Sequence, residues 1–279
     1  MRPVNERPVQ ALAWSGHTDR GRVRPNNEDA FLGLQFDARE VRHLGKIGEA
    51  PCDEVDFVFA VSDGMGGARS GEVASRIAVD KITQLFPRAF RQKASGLSAG
   101  FGDLMAELFA EIHRALVEIS RSYEECAGMG ATLSLCWFAP GWMFFGHIGD
   151  TRIYFLPGDE GGIRQVSHDD THVGWLFRNG QLNEREAKMH PRRNALSKAL
   201  GAGNQFVEPQ VGAVAFSPGD LCLICSDGVT DGLYDAGLLQ LLRQPDAREA
   251  ALTPARRVAE AGVERSGRDN ATAVVIEGR

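Results

Sequence analysis

The sequence has no long apolar run, no surplus of basic residues, no internal repeat and few cysteines, and each shortage closes off a class of function. Its most apolar stretch, Ala131 to Gly146, is interrupted by Pro140 and Gly141. A membrane helix needs roughly 20 uninterrupted apolar residues, so no membrane association is expected. Lysine and arginine number 31 against 37 aspartates and glutamates, a net charge of −6. With no basic excess to displace counterions, nucleic-acid binding is excluded as the main activity. The opening segment MRPVNERPVQALAW lacks the apolar core and small-residue cleavage site of a secretory leader. Five cysteines at scattered spacings do not form a disulfide framework. Cys222 and Cys225 make a CxxC, but inside DLCLICSD, a run that reads as a strand with positions three apart on opposite faces. They are read as reduced core thiols, and the compartment as cytoplasmic.

What is present is the composition of a soluble globule, 43% hydrophobic and 24% charged over 279 residues. A chain of this size buries about three quarters of its unfolded surface and needs no metal or disulfide to fold. Short apolar runs predict strands over Ala30–Leu34, Val55–Val61, Ala131–Phe138, Trp142–Ile148, Arg152–Leu156, Val211–Phe216, Leu221–Cys225 and Ala271–Ile276. Ala139-Pro140-Gly141 marks a hairpin. Apolar stripes at i, i+3, i+4, i+7 predict helices over Ser70–Phe86 and Phe101–Ile119, and a third runs from about Asp246 to Arg265. This order is not the βαβα alternation of a doubly wound sheet. It predicts an α+β sandwich of antiparallel sheets with helices on the outer faces.

Aspartates stand where these strands end. Asp63 follows VDFVFAVS, Asp150 follows MFFGHIG, Asp227 follows DLCLICS, Asp269 precedes AVVIE, and Asp29 leads into AFLGL. Most have a glycine beside them, which lets the chain turn sharply and brings a carbonyl close to a ligand. Any single Asp-Gly can be a turn. Five carboxylates at the mouth of a buried sheet are partly desolvated and mutually repulsive, and a cation is the usual remedy. Oxygen-only ligands select hard ions such as Mg²⁺ or Mn²⁺.

These residues fall into a known pattern. Thr18-Asp19-Arg20-Gly21-Arg22-Val23-Arg24-Pro25-Asn26-Asn27-Glu28-Asp29 resembles the opening motif of the metal-dependent type 2C protein serine/threonine phosphatases. Asp63-Gly64-Met65-Gly66-Gly67, Gly130-Ala131-Thr132, Gly149-Asp150-Thr151-Arg152, Ser226-Asp227-Gly228 and Asp269-Asn270-Ala271-Thr272 resemble its later motifs, in order. The match covers residues 12–277 as one domain, with 1–11 as an N-terminal extension. DGMGG and His190-Pro191-Arg192-Arg193-Asn194-Ala195-Leu196 look like the bacterial branch.

The resemblance implies an αββα sandwich and hydrolysis of phosphoserine and phosphothreonine in proteins by a water bridging two Mg or Mn ions, without a phosphoenzyme. It implies that Asp63 bridges both metals, Gly64 offers its carbonyl to one, and Asp227 and Asp269 complete the other. Glu28 and Asp29 hold metal-bound waters, Asp150 serves a third, weaker ion shared with Asp227, and Arg24 grips the substrate phosphate with its planar fork. Phosphoproteins are the implied substrates, a Ser/Thr kinase the implied counterpart, and a monomer the expected state. Met65 stands where many eukaryotic relatives carry a histidine proposed as general acid, and a thioether donates no proton. His168 and His172 are four apart, but no helix or third ligand is evident for zinc, so a flap loop, Ser167 to Leu200, is expected to hold both. That flap carries Arg178, Arg185, Arg192 and Arg193 toward the site and is expected to govern substrate choice. The segment Asp37 to Glu54 is longer than the usual link and has no assigned role.

Three rival readings compete. Gly96-Leu97-Ser98-Ala99-Gly100 satisfies G-x-S-x-G, but the charged FPRAFRQKAS before it is not the strand a nucleophile elbow requires. A catalytically weak phosphatase fold acting as a signalling or binding module conflicts with the full set of acids. A Mg-dependent phosphodiesterase uses the same chemistry and is separated only by assay.

Overall fold

The computed structural model describes residues 8–37, 39–66, 70–94, 100–159 and 161–279. Gly67, and residues 96–99 of the G-x-S-x-G match, lie outside the described residues. The chain opens with β1 (Ala11–Asp19), β2 (Asp29–Phe36), β3 (Val41–His43), β4 (Ile47–Pro51) and β5 (Asp56–Met65). Two long helices follow, α1 (Ser70–Ala94) and α2 (Phe101–Ser122). A meander comes next: β6 (Gly130–Ala131), β7 (Leu133–Ala139), β8 (Trp142–Ile148), β9 (Arg152–Leu156) and β10 (Arg164–Gln165). Helices α3 (His172–Arg178) and α4 (Glu184–Met189) precede β11 (Leu200–Gly201), β12 (Gln210–Ala215) and β13 (Leu221–Cys225). The chain closes with α5 (Asp227–Gly232), α6 (Asp235–Arg243), α7 (Ala247–Ala250), α8 (Pro254–Arg265) and β14 (Ala271–Gly278).

Among the described residues the strands form two antiparallel sheets. One runs β10-β9-β13-β14-β1-β4, and the other has β2, β5, β7, β8 and β12 side by side with β3 on β2 and β6–β11 continuing one end. Both central strands bury both faces, which is why they read as continuous apolar runs. In β5, Phe57, Phe59 and Val61 enter the layer between the sheets while Val58 and Ala60 face α1 and α2. In β13, Cys222 and Ile224 enter the same middle layer while Leu221, Leu223 and Cys225 pack under α6 and α8. The two cysteines therefore face opposite ways, as a strand requires, and both are free thiols. The layers run helix, sheet, sheet, helix, the αββα sandwich expected from the sequence. No helix among the described residues is long and apolar enough to cross a membrane.

Several elements differ from the sequence reading. The expected third helix is two, α7 and α8, because Pro254 lacks an N–H and begins a new helix at its first turn, with Thr253 as the cap. Helix α1 continues past Pro87 to Ala94. The run Ala131–Phe138 divides at Thr132, whose N–H leaves the ladder to donate to the Asp63 carbonyl at 2.8 Å. The flap contains two helices, with His172 the first residue of α3 and stacked 6.2 Å from Trp175. The unassigned segment supplies β3 to the edge of one sheet and β4 to the edge of the other, which covers one sheet edge on each layer.

Candidate active site

One end of the sandwich collects the carboxylates. Asp29 opens β2 directly opposite Asp63 on β5. Asp150 follows β8, Asp227 is the first residue of α5 after β13, and Asp269 lies just before β14. Strand ends from both sheets thus bring these aspartates to one end of the sandwich. Hydrogen bonds from the Asn270 side chain and from the Gly64 backbone fix the convergence. Asn270 accepts from the Glu28 N–H at 2.8 Å and donates to the carbonyls of Arg20 and Asn26 at 2.8 and 2.9 Å, stapling the 20–28 loop to β14. The Gly64 N–H donates to the Glu28 carbonyl at 3.1 Å. A Cβ on Gly64 would meet the Gly71 carbonyl oxygen at 1.9 Å, so only glycine fits between the Glu28 loop and α1.

The electrostatics are those of acids held too close for common ionisation. Burial, then the charges of Asp29, Asp227, Asp150 and Asp269, push Asp63 well above the usual carboxylate range. Burial, then Asp150, Asp231 and Asp269, do the same to Asp227. Burial raises Asp29 to about 6 against the opposing bond from Ser226, whose hydroxyl donates to Asp29 Oδ2 at 2.7 Å. Asp150 is pushed up to about 7, again chiefly by burial. One oxygen of Asp29 and one of Asp227 are buried without a hydrogen-bond partner. An orphaned carboxylate oxygen costs on the order of 1–3 kcal/mol or more, and a cation is the ligand that satisfies it. The donor set is oxygen only, which fits a hard divalent ion.

The side chains are not drawn up as a finished coordination shell. Among the described residues no three His, Cys, Asp or Glu groups form one. Instead Arg24 Nη2 donates to Asp269 Oδ2 at 2.6 Å, and Asn194 Nδ2 donates to Asp227 Oδ2 at 3.1 Å. Arg24 therefore stands beside the acids, bonded to Asp269. Glu28 is raised mainly by burial and faces Arg24 and Asp269.

A cleft opens beside these groups, between the flap and α5, and its lining includes Asp150, Arg152, Asp169, Lys188, Arg193 and Asp227. Of the four flap arginines, Arg193 reaches this cleft and pairs with Asp231 through two bonds of 2.9 and 3.1 Å. Arg178 instead donates to the Asp169 carbonyl, and Arg185 and Arg192 are exposed. Lys188 anchors the flap by donating to the Leu233 carbonyl beneath the Tyr234 ring. Sequence reasoning gave no role to Ser226, Asn194 or Asn270. All three lay inside the recognised motifs, but each acts through partners 33 or more positions away.

Comparison with known proteins gives a consistent outcome. Residues 51–252 match the family described as protein phosphatase 2C. The chain is 32% identical over 275 residues to the serine/threonine protein phosphatase PstP of Mycobacterium tuberculosis, covering 97% of this chain but 46% of that protein. It spans about half the length of that relative. It is 30% identical to the serine/threonine phosphatase stp of Listeria innocua, covering 93% of each chain. The crystal structure of the PstP catalytic domain in complex with two manganese ions superposes with a TM-score of 0.71 at 28% identity, covering 96% of this chain and 98% of that one.

Proposed function

Because the chain belongs to the protein phosphatase 2C family, we propose that it hydrolyses phosphoserine and phosphothreonine in proteins with two Mn or Mg ions. The observation that carries this reading is the meeting of five aspartates at one end of the sandwich, with buried oxygens of Asp29 and Asp227 left without partners. Asp63, Asp227, Asp269 and the Gly64 carbonyl would hold the two ions, Glu28 and Asp29 their waters, and Asp150 a third, weaker ion. When bound, such ions lower the pKa of a water they share and neutralise charge on the phosphoryl oxygens.

The chain's own residues do the rest. Arg24 presents a fork suited to phosphate oxygens and is free to exchange Asp269 for substrate, since about half of its side chain is exposed. Ser226 holds Asp29 in place, and Thr132 fixes Asp63 by accepting its N–H at 3.0 Å. Met65 offers no proton, so the leaving alkoxide takes its proton from solvent rather than from that side chain. The cleft floored by Asp231 and Arg193 and walled by the flap receives the peptide beside the phosphoryl group. Residues 12–277 form the catalytic unit, acting as a monomer in the cytoplasm of a bacterium, in signalling opposite a Ser/Thr kinase.

Phosphate release from a phosphothreonine peptide tests the reading. Release that requires Mn²⁺ and is abolished by EDTA is expected. Turnover of a phosphodiester in preference to the peptide, or metal binding without turnover of either, would overturn it.

A further inference from the structure

His147 lies in β8, three residues before Asp150, fully buried and unused by the chemistry above. Its Nε2 is 3.0 Å from the Gly149 carbonyl, and its Nδ1 is 2.8 Å from Ser134 Oγ. Ser134 Oγ is in turn 2.9 Å from Thr151 Oγ1. The direction of every bond in this chain follows from one fact. A carbonyl only accepts, so Nε2 carries the proton. Burial lowers the pKa of the ring and keeps it neutral, which leaves Nδ1 an acceptor. Ser134 must then donate to Nδ1, and Thr151 must donate to Ser134. The two ends of the relay are Gly149 and Thr151, the residues on either side of Asp150.

A second set of bonds meets the same peptide from the flap. The Asp170 N–H donates to the Gly149 carbonyl at 2.7 Å, and the Gly149 N–H donates to Asp170 Oδ2 at 3.0 Å. The Asp170 carbonyl accepts from both the N–H and the hydroxyl of Ser197, each at 2.7 Å. His147 and Asp170 therefore fill both lone pairs of one carbonyl. Gly149 itself has φ of +107°, a conformation that residues with a side chain rarely adopt and that glycine permits. Ser134 belongs to β7 and pairs across from Val61 of β5, so the relay is fastened to the central sheet.

We infer that His147 is a positioning residue: with Ser134 and Thr151 it clamps the Gly149–Asp150–Thr151 turn, so that Asp150 and the root of the flap are held as one unit. A buried histidine that merely fills space needs neither a fixed tautomer nor partners on both sides of an acid. The link to the metal rests on the proposed role of Asp150; the clamp itself does not.

Two substitutions separate donor from volume. His147→Gln keeps an N–H where Nε2 stands, whereas His147→Asn keeps polar atoms only near Nδ1 and cannot reach Gly149. Amide hydrogen exchange reads the clamp directly. Exchange at the Gly149 and Asp170 amides is expected to accelerate at least tenfold in H147N and to return to within about threefold of wild type in H147Q. Calorimetry with Mn²⁺ should show the weakest ion lost in H147N, retained in H147Q, and the tighter ions unchanged in both. Unchanged amide protection in H147N, or equal loss in both variants, would overturn the inference. If H147N does not fold, Ser134→Ala serves instead, since it removes the bond that orients the ring; unaltered exchange at Gly149 in that variant overturns the clamp. Asp150→Ala, measured in parallel, isolates the metal role: full Mn²⁺ stoichiometry there overturns the role of Asp150, while the amide exchange still decides that of His147.

Discussion

Arg24 and Asp269, 245 positions apart in sequence, are joined by a 2.6 Å bond between guanidinium and carboxylate. The residue proposed to grip phosphate thus rests on a residue proposed to hold metal. The bond raises the already high pKa of Arg24, so the arginine stays charged whichever partner it takes.

Arg24→Ala should therefore act in two opposite ways. Loss of the fork weakens capture of substrate, so KM for a phosphopeptide rises, by about tenfold for a charge-assisted contact of ~1.5 kcal/mol. Loss of the competing bond frees Asp269. An exposed ion pair contributes at most about 1 kcal/mol, so Mn²⁺ should bind equally well or up to about fivefold more tightly. Unchanged peptide kinetics would return Arg24 to an ordinary surface pair.

Asp63→Asn tests the centre of the cluster. Asp63 faces Asp29 across the β2–β5 ladder, and its N–H and carbonyl are both engaged by Thr132, so the amide variant keeps its place in the fold. Only the negative charge is lost. A drop in kcat/KM of about a thousandfold, ~4 kcal/mol, is expected in saturating Mn²⁺. Near-normal turnover would remove Asp63 from the site.

How much of this was legible follows from what each residue contacts. The buried strands β5, β7, β8 and β13 are apolar on both faces, so they stand out in the sequence as uninterrupted runs. Strand β1 does not, because Ser15, Gly16, His17 and Thr18 break its run. Ser15 is nevertheless buried, accepting the Ala255 N–H at the start of α8, a partner 240 residues away. The carboxylates were readable because they border strands, most with a glycine beside them. Asn194 was not readable as a partner of Asp227, since nothing local to the flap shows which strand end it will meet. The docking of Arg24 on Asp269 was equally invisible, as both belong to motifs that suggest other partners.

The metal-free protein should lose stability as pH rises. Asp29 titrates near 6 and Asp150 near 7 in the folded chain, against an ordinary value of 3.8. Between the unfolded and folded values the folded state holds protons that the unfolded state has released, so stability falls with pH across about 4 to 7. Thermal melts in EDTA should show this decline, superimposed on any acid unfolding at the low end. Saturating Mn²⁺ should reverse it, because bound metal takes the place of the protons and binds better as pH rises. A melting temperature in EDTA that is flat or climbs from pH 5 to 7 would show that burial does not hold protons on these acids in the folded chain.

Asp227→Asn carries the same physics to a single atom. Asp227 has one oxygen bonded to Asn194 and one buried with no partner, and the charges of Asp150, Asp231 and Asp269 all oppose its ionisation. Asparagine has nearly the same shape, keeps an oxygen for Asn194 and removes the charge. In EDTA the variant should melt higher than wild type, by about 2–4 °C if the relief is ~1 kcal/mol. Wild type should gain about 2.7 kcal/mol from Mn²⁺ at 100 times its dissociation constant, and the variant distinctly less, because a ligand stabilises only the state that binds it. Phosphopeptide turnover should be lost. A variant that melts below wild type in EDTA would mean that the Asp227 charge is stabilised by its surroundings, not strained by them, and that the site exists for something other than a cation.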